Sequence, residues 1–119
     1  MSYSYLILNP INTGASLNIT LVGDAKLAHG IVEGDYTLNS TPVNEKQNWI
    51  HIQGSSAIWY DKEFKNWKIG DREVLGSSIC FLKSTKNTKR PDEATTWKYA
   101  NDDEEWMPTS NIFGSLGMY

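Results

Sequence analysis

Two histidines and one cysteine are the residues of this 119-residue chain best suited to acid–base, nucleophilic or zinc chemistry. His29 and His51 lie far apart in sequence, and no Gly-x-Ser-x-Gly motif marks a serine nucleophile near either of them. A zinc site needs three or four Cys and His ligands at workable spacing, and one Cys and two His far apart in sequence do not supply them. Cys80 lies in the apolar run Ile79–Leu82, which favours a buried and unreactive thiol. We therefore predict a protein that is not an enzyme and that has no metal site and no cofactor.

The 14 acidic residues form no recognisable catalytic or metal-binding pattern. The run Asp102–Glu105 lacks the alternating acids and the glycine of a calcium-binding loop and is typical of a solvated turn, with a weak surface calcium site as the alternative. A glycosidase needs two carboxylates that face each other across a cleft, which a domain of this size rarely forms. Gly70 and Gly76 are isolated and do not make a phosphate-binding loop.

The net charge argues against two classes of partner. The formal net charge is −3 and the pI is about 5.3, whereas domains that bind nucleic acid or anionic membranes are usually basic. The one basic cluster is Lys83, Lys86, Lys89 and Arg90, which alternates with polar residues and is typical of a solvated loop. No apolar stretch approaches the roughly 20 residues of a membrane helix, and the N-terminus does not resemble a signal peptide. We expect no nucleic acid and no membrane partner, and favour an intracellular or assembly-bound protein.

Five tryptophans are the most distinctive feature of the composition. Because Trp carries a large apolar area, most of them are expected in the core, with Trp67 and Trp97 inside. Trp59 and Tyr60 are adjacent, so in a strand they point to opposite faces and one of them can lie outside. Two or three exposed, coplanar rings would form a platform that stacks on sugars. Trp49, Trp59 and Tyr60 are therefore the candidate ligand-binding residues, with Trp49 or Tyr60 at a contact surface.

Short apolar runs separated by Gly, Asn, Asp, Ser and Pro extend along the chain, a pattern typical of all-β proteins. Strands are predicted at residues 3–8, 17–21, 34–38, 49–53, 57–60, 66–70, 78–82 and 95–100, with a short helical turn at 25–29 and a polar loop at 85–94. This spacing predicts a single domain over residues 1–119. The predicted fold is all-β: a compact antiparallel β-sandwich or small barrel of about seven to nine short strands.

Both ends of the chain are aromatic and apolar. Tyr3 and Tyr5 lie in the first predicted strand, and a C-terminal segment too apolar for a solvated tail contains Phe113, Leu116 and Tyr119. Unpaired edges of terminal strands are natural sites for the addition of a partner's strand. These five residues are the candidate partner contacts. We predict a binding or structural module that makes protein–protein contacts, with another protein or with itself; the alternative is a carbohydrate-binding module that uses exposed Trp or Tyr.

The chain also shows a resemblance from about Asn18 to Ile112. The segments that carry it are Ile19–Gly23, Gly34–Leu38, Val43–Asn44, Ala57–Tyr60, Trp67–Gly70 and Trp97–Tyr99, followed by Asp102 and Trp106. With these segments the chain resembles a tryptophan-rich β module that occurs in repeated copies in large proteins of algae, protists and marine animals. It differs at Glu45, where the module usually has Gly, and in a last section that is one residue longer and lacks the Gly. The resemblance implies a self-contained β unit without an assigned catalytic role.

Overall fold

The computed structural model describes residues 16–114, which form eight β-strands and one short α-helix. In chain order these are β1 (Ser16–Ile19), α1 (Gly23–His29), β2 (Gly34–Leu38), β3 (Trp49–His51), β4 (Ser56–Asp61), β5 (Asn66–Asp71), β6 (Leu82–Ser84), β7 (Thr96–Ala100) and β8 (Trp106–Ser110). Single turns of 3-10 helix lie at Gly30–Val32, Arg72–Val74 and Pro91–Glu93. The predicted all-β antiparallel fold is confirmed. The strand predicted at residues 3–8 lies outside the described residues.

Each strand pairs antiparallel with the next one along the chain, so the sheet is a simple meander from β1 to β8. The sheet curls into a half-barrel, and backbone hydrogen bonds connect its two ends. Thr20 N donates to Ile112 O at 2.7 Å, and Gly114 N donates to Asn18 O at 2.9 Å. The segment after β8 thus covers the edge of β1, which would otherwise offer unpaired backbone groups to another chain.

The core fills the inner face of the curled sheet, because alternate residues of each strand point inward. Trp49 and Tyr60 pack against Trp67 at an angle, with ring centroids 6.1 and 5.3 Å from that of Trp67. Trp97 is 1% exposed and lies in the same core, so the expectation that Trp67 and Trp97 are inside is confirmed. Aromatic rings therefore supply much of the buried apolar area in this small domain.

All six residues of β4 are buried, because this strand is covered on its outer face as well. The cover is the connection between β5 and β6, residues 72–80, which we call the covering segment. Trp59 Nε1 donates to Ser77 O at 2.9 Å, which connects the outer face of β4 to this segment. Asn44 Nδ2 donates to Tyr60 O at 2.7 Å and to Gly76 O at 3.1 Å, which links β4 to the segment a second time.

The strand predicted at residues 78–82 is wrong in its position. β6 begins only at Leu82, and the bonds between β5 and β6 start where Phe81 N donates to Ile69 O at 2.8 Å. Ile79 is 65% exposed and belongs to the covering segment. A continuous apolar run predicts a strand buried on both faces, but here the first half of the run lies over Trp59 instead.

Candidate binding surface on the outer face of the sheet

The three aromatic residues predicted to bind a ligand all lie in the interior. Trp49, Trp59 and Tyr60 are 1%, 0% and 7% exposed. Trp49 and Tyr60 belong to the core around Trp67, whereas Trp59 lies beneath the covering segment. None of the three presents a ring face on which a sugar could stack. The structure thus corrects the expectation that Trp49 or Tyr60 lies at a contact surface, because both side chains point to the inner face of the curled sheet and pack against Trp67.

Both histidines are engaged in structural hydrogen bonds. His51 Nδ1 accepts from two backbone amides of the following turn, at 3.0 and 2.8 Å, so the proton of the neutral ring lies on Nε2. That nitrogen donates to Glu33 O at 2.6 Å. His29 Nε2 lies 2.6 Å from Ala100 O, and its ring stacks on Phe81 with centroids 5.1 Å apart. The two rings therefore connect backbone segments.

Of the candidate partner contacts, Phe113 lies in the described part of the chain. It is half-buried, and its ring centroid lies 5.7 Å from that of Trp97. Phe113 therefore packs partly on its own domain. The other four candidates lie outside the described residues: Tyr3, Tyr5, Leu116 and Tyr119.

Three lysines lie side by side on the outer face of β5, β6 and β7. Lys68 is directly opposite Lys83 in the register of β5 and β6, and Lys83 is directly opposite Lys98 in that of β6 and β7. Like charges at directly opposed positions destabilise a sheet. An anionic partner would relieve this repulsion. Together with the exposed rings of Phe64 and Trp106, these three lysines form what we call the lysine face.

The three ammonium groups have different surroundings. Lys68 is buried, and its Nζ lies 3.5 Å from Asp61 Oδ2. Lys83 Nζ lies over the ring of Trp106, 4.1 Å from its centroid, in a cation–π contact. Lys98 is exposed, and among residues 16–114 neither Lys83 nor Lys98 has an ion pair with a carboxylate. Two of the three charges are therefore available to a ligand.

A cleft of about 250 Å³ opens between the lysine face and the covering segment. Phe64 and Trp106 are its apolar walls, and Lys68 and Lys83 supply positive charge. Cys80 lines the same cleft, but burial raises the pKa of its thiol to about 11, which keeps it protonated near neutral pH. This cleft can hold an anionic group next to an apolar one, and its thiol is not an activated nucleophile.

A second cleft, of about 400 Å³, has the opposite charge. We call this second cleft the acidic cleft; it is lined by Asp24, Leu27, Ala28, Tyr99, Asn101, Asp102, Asp103 and Met107. Met107 directly follows Trp106 of the lysine face in the sequence, and its side chain points to the opposite face of β8, since successive residues of a strand alternate. Leu27 of the acidic cleft is 85% exposed. Among the described residues no group of three or more His, Cys, Asp or Glu side chains is placed to hold a metal ion.

The lysine face was not predicted from the sequence. The sequence pattern predicts a solvated loop for Lys83, whereas the structure places this residue in β6. A signal was present, since each lysine stands between two inward-facing residues of its strand: Trp67-Lys68-Ile69, Leu82-Lys83-Ser84 and Trp97-Lys98-Tyr99. What aligns the lysines is the register between strands, which a single sequence does not display.

Comparison with known proteins adds no relative: no protein family, no curated protein and no solved structure matches this chain. The resemblance to the tryptophan-rich module therefore stays a prediction. In the described part of the chain no helix is long and apolar enough to cross a membrane.

Proposed function

We propose that this chain is a non-enzymatic protein-binding module and that the lysine face is its binding surface. The observation that carries the proposal is the row Lys68, Lys83 and Lys98, aligned across three strands beside two exposed aromatic rings. Directly opposed lysines lower the stability of a sheet, and residues that lower stability in this way are expected mainly at functional sites. An exposed Trp is also typical of an interface centre, where a few large side chains supply most of the binding energy.

The non-enzymatic part of the proposal is supported by the state of the chemically capable residues. His29 and His51 hold backbone carbonyls, and the thiol of Cys80 is protonated near neutral pH. Asp61, the buried acid beside Lys68, uses Oδ1 to accept two backbone amides of its own turn and faces Lys68 with Oδ2. These groups maintain the fold, and a role in proton transfer would break those contacts.

A carbohydrate-binding module is the second candidate, and one observation favours it. Phe64 and Trp106 are 59% and 36% exposed and line the same cleft, so they can take the role first predicted for the buried rings. A sugar would stack on these two rings. Protein binding remains the preferred function because Lys83 and Lys98, which have no ion pair among the described residues, favour an acidic surface as partner, which stacking on a neutral sugar does not provide.

The test is a quantitative capture experiment with the tagged full-length protein and an extract of the organism that encodes it. We expect stoichiometric recovery of a defined protein. Trp106→Ala and Lys83→Glu should each lower this recovery about tenfold or more, because both remove central contacts of the surface. Lys86→Glu is the matched control, since Lys86 is exposed, lies outside the lysine face and undergoes the same charge change.

Two results would overturn the proposal. Equal recovery by Trp106→Ala, Lys83→Glu and the control would show that bound proteins use another surface. A parallel glycan array that gives a hit lost in Trp106→Ala, with no protein recovered, would replace protein binding by carbohydrate binding. Circular dichroism of each variant confirms that its fold is retained before recoveries are compared.

A further inference from the structure

We infer that the lysine face binds the acidic turn of a second copy of this chain. The inference rests on the proposed function and names its partner. The acidic turn is the connection between β7 and β8, Asp102–Glu105, which carries four successive exposed carboxylates. The same chain therefore has the cationic lysine face, which includes aromatic rings, and the acidic turn, which lies beside the apolar side chains of Leu27 and Met107 in the acidic cleft.

The acidic turn has a fixed backbone that suits it to docking. Asn101 Oδ1 accepts the backbone amides of Asp103 and Glu105, both at 2.9 Å. Asn101 N donates to Glu105 O at 2.8 Å, and Glu104 N donates to Asn101 O at 3.0 Å. A turn that is already ordered loses little conformational entropy when it binds, so its charges can be used for affinity.

The positions of the two surfaces suit a symmetric pair. Trp106 of the lysine face and Met107 of the acidic cleft are consecutive residues at the start of β8, so the surfaces flank the same strand end. A two-fold axis near this end would place each lysine face against the acidic turn of the other copy. Such an isologous contact satisfies the lysine face and the acidic turn at once, and Trp106 adds apolar area to it.

Charge complementarity selects this partner. In the described chain Lys83 and Lys98 have no carboxylate partner, while Asp102 and Asp103 line a cleft that contains no basic side chain. A second copy supplies both missing partners, whereas an unrelated acidic protein would supply only one of them. The net charge of −3 opposes association weakly at moderate salt, since screening acts over about 8–10 Å.

Sedimentation velocity of the full chain tests the inference. We expect reversible association that weakens at least about tenfold between about 50 and 500 mM NaCl. The variant Lys83→Glu/Lys98→Glu and the variant Asp102→Lys/Asp103→Lys should each be monomeric. An equimolar mixture of the two variants should associate again, because the reversed charges of one variant complement those of the other. Lys86→Glu/Lys89→Glu, with the same net charge change away from both surfaces, should associate like the wild type.

Association of the mixed variants is the decisive result, because mixing would not restore association to a variant that had simply misfolded. A wild-type chain that stays monomeric up to about 1 mM would overturn the inference. A mixture that stays monomeric while wild type associates would overturn it too, since the association would then use other residues. If the chain is monomeric and yet captures another protein through Lys83 and Trp106, the inference fails while the proposed function stands.

Discussion

At the scale of single residues, the contact between Lys68 and Asp61 stands out because both side chains are buried. They are about 4% and 5% exposed, and their charged atoms lie 3.5 Å apart. Asp61 Oδ2 accepts no hydrogen bond among the described residues. Its interaction with the Lys68 ammonium group is therefore an ion pair without a hydrogen bond. Burying two charges is costly, and each is tolerated only while the other is present. This pair therefore fixes the position of Lys68, the member of the lysine row that lies in β5, and adds little net stability.

The replacement Lys68→Met should lower the free energy of unfolding by about 3–5 kcal/mol, because it leaves the carboxylate of Asp61 buried without a counter-charge. The double variant Lys68→Met/Asp61→Asn should be more stable than Lys68→Met alone, since the second change removes that charge. Urea unfolding of the four proteins in the cycle measures the coupling. Additive losses in the double variant would show that the two groups do not interact.

At the scale of elements, the covering segment depends on a close approach at Gly70. A Cβ built on this residue would lie 3.0 Å from Cys80 Cα and 3.0 Å from the ring of Trp59. Only a residue without a side chain lets β5 contact the segment so closely. The hydrogen bond from Trp59 to Ser77 then holds the segment in place, and with it one wall of the cleft beside the lysine face.

Gly70→Ala should destabilise the protein by about 1–3 kcal/mol, because the added methyl group overpacks the contact between β5 and the covering segment. Gly30→Ala is the matched control. Gly30 has helical φ and ψ of −56° and −20°, and a Cβ there would meet only the flexible Glu33 side chain at 3.9 Å. It should leave stability unchanged or raise it slightly. Thermal unfolding compares the two, and equal effects would exclude the steric explanation.

Sequence patterns predict some elements of this fold correctly and misplace others. Gly34–Leu38 was predicted as a strand with the observed bounds, because its alternation of apolar and polar residues reports one buried face. Residues 78–82 were misplaced because an apolar run does not reveal whether it continues a sheet or covers one. Trp49 and Tyr60 were expected near a surface because alternation within one strand does not reveal which of its two faces forms the core, and Trp59 is buried because distant residues cover the outer face of β4. The lysine row was missed for a similar reason, since it exists only in the register between strands.

At the scale of the whole molecule, the two ends of the sheet depend on each other. Ile112 is 1% exposed and belongs to the core, although it follows the last strand. Its carbonyl accepts from Thr20, and Phe113 lies opposite Ile19 in an isolated bridge. A deletion that begins at Asn111 would remove this core residue together with any partner contact, so its effect on assembly could not be separated from its effect on folding.

Substitution of single side chains separates these effects. Ile112→Ala should lower the free energy of unfolding by about 2–5 kcal/mol, because it leaves a cavity where the ends of the sheet meet. Ile52→Ala should change it by no more than about 0.5 kcal/mol, since Ile52 is 59% exposed. Urea titrations should show a lower midpoint for Ile112→Ala with an unchanged slope, which indicates that the whole sheet still unfolds as one unit. A normal midpoint would mean that the segment after β8 is not part of the cooperative core, and that the curled sheet is stable with its first strand open.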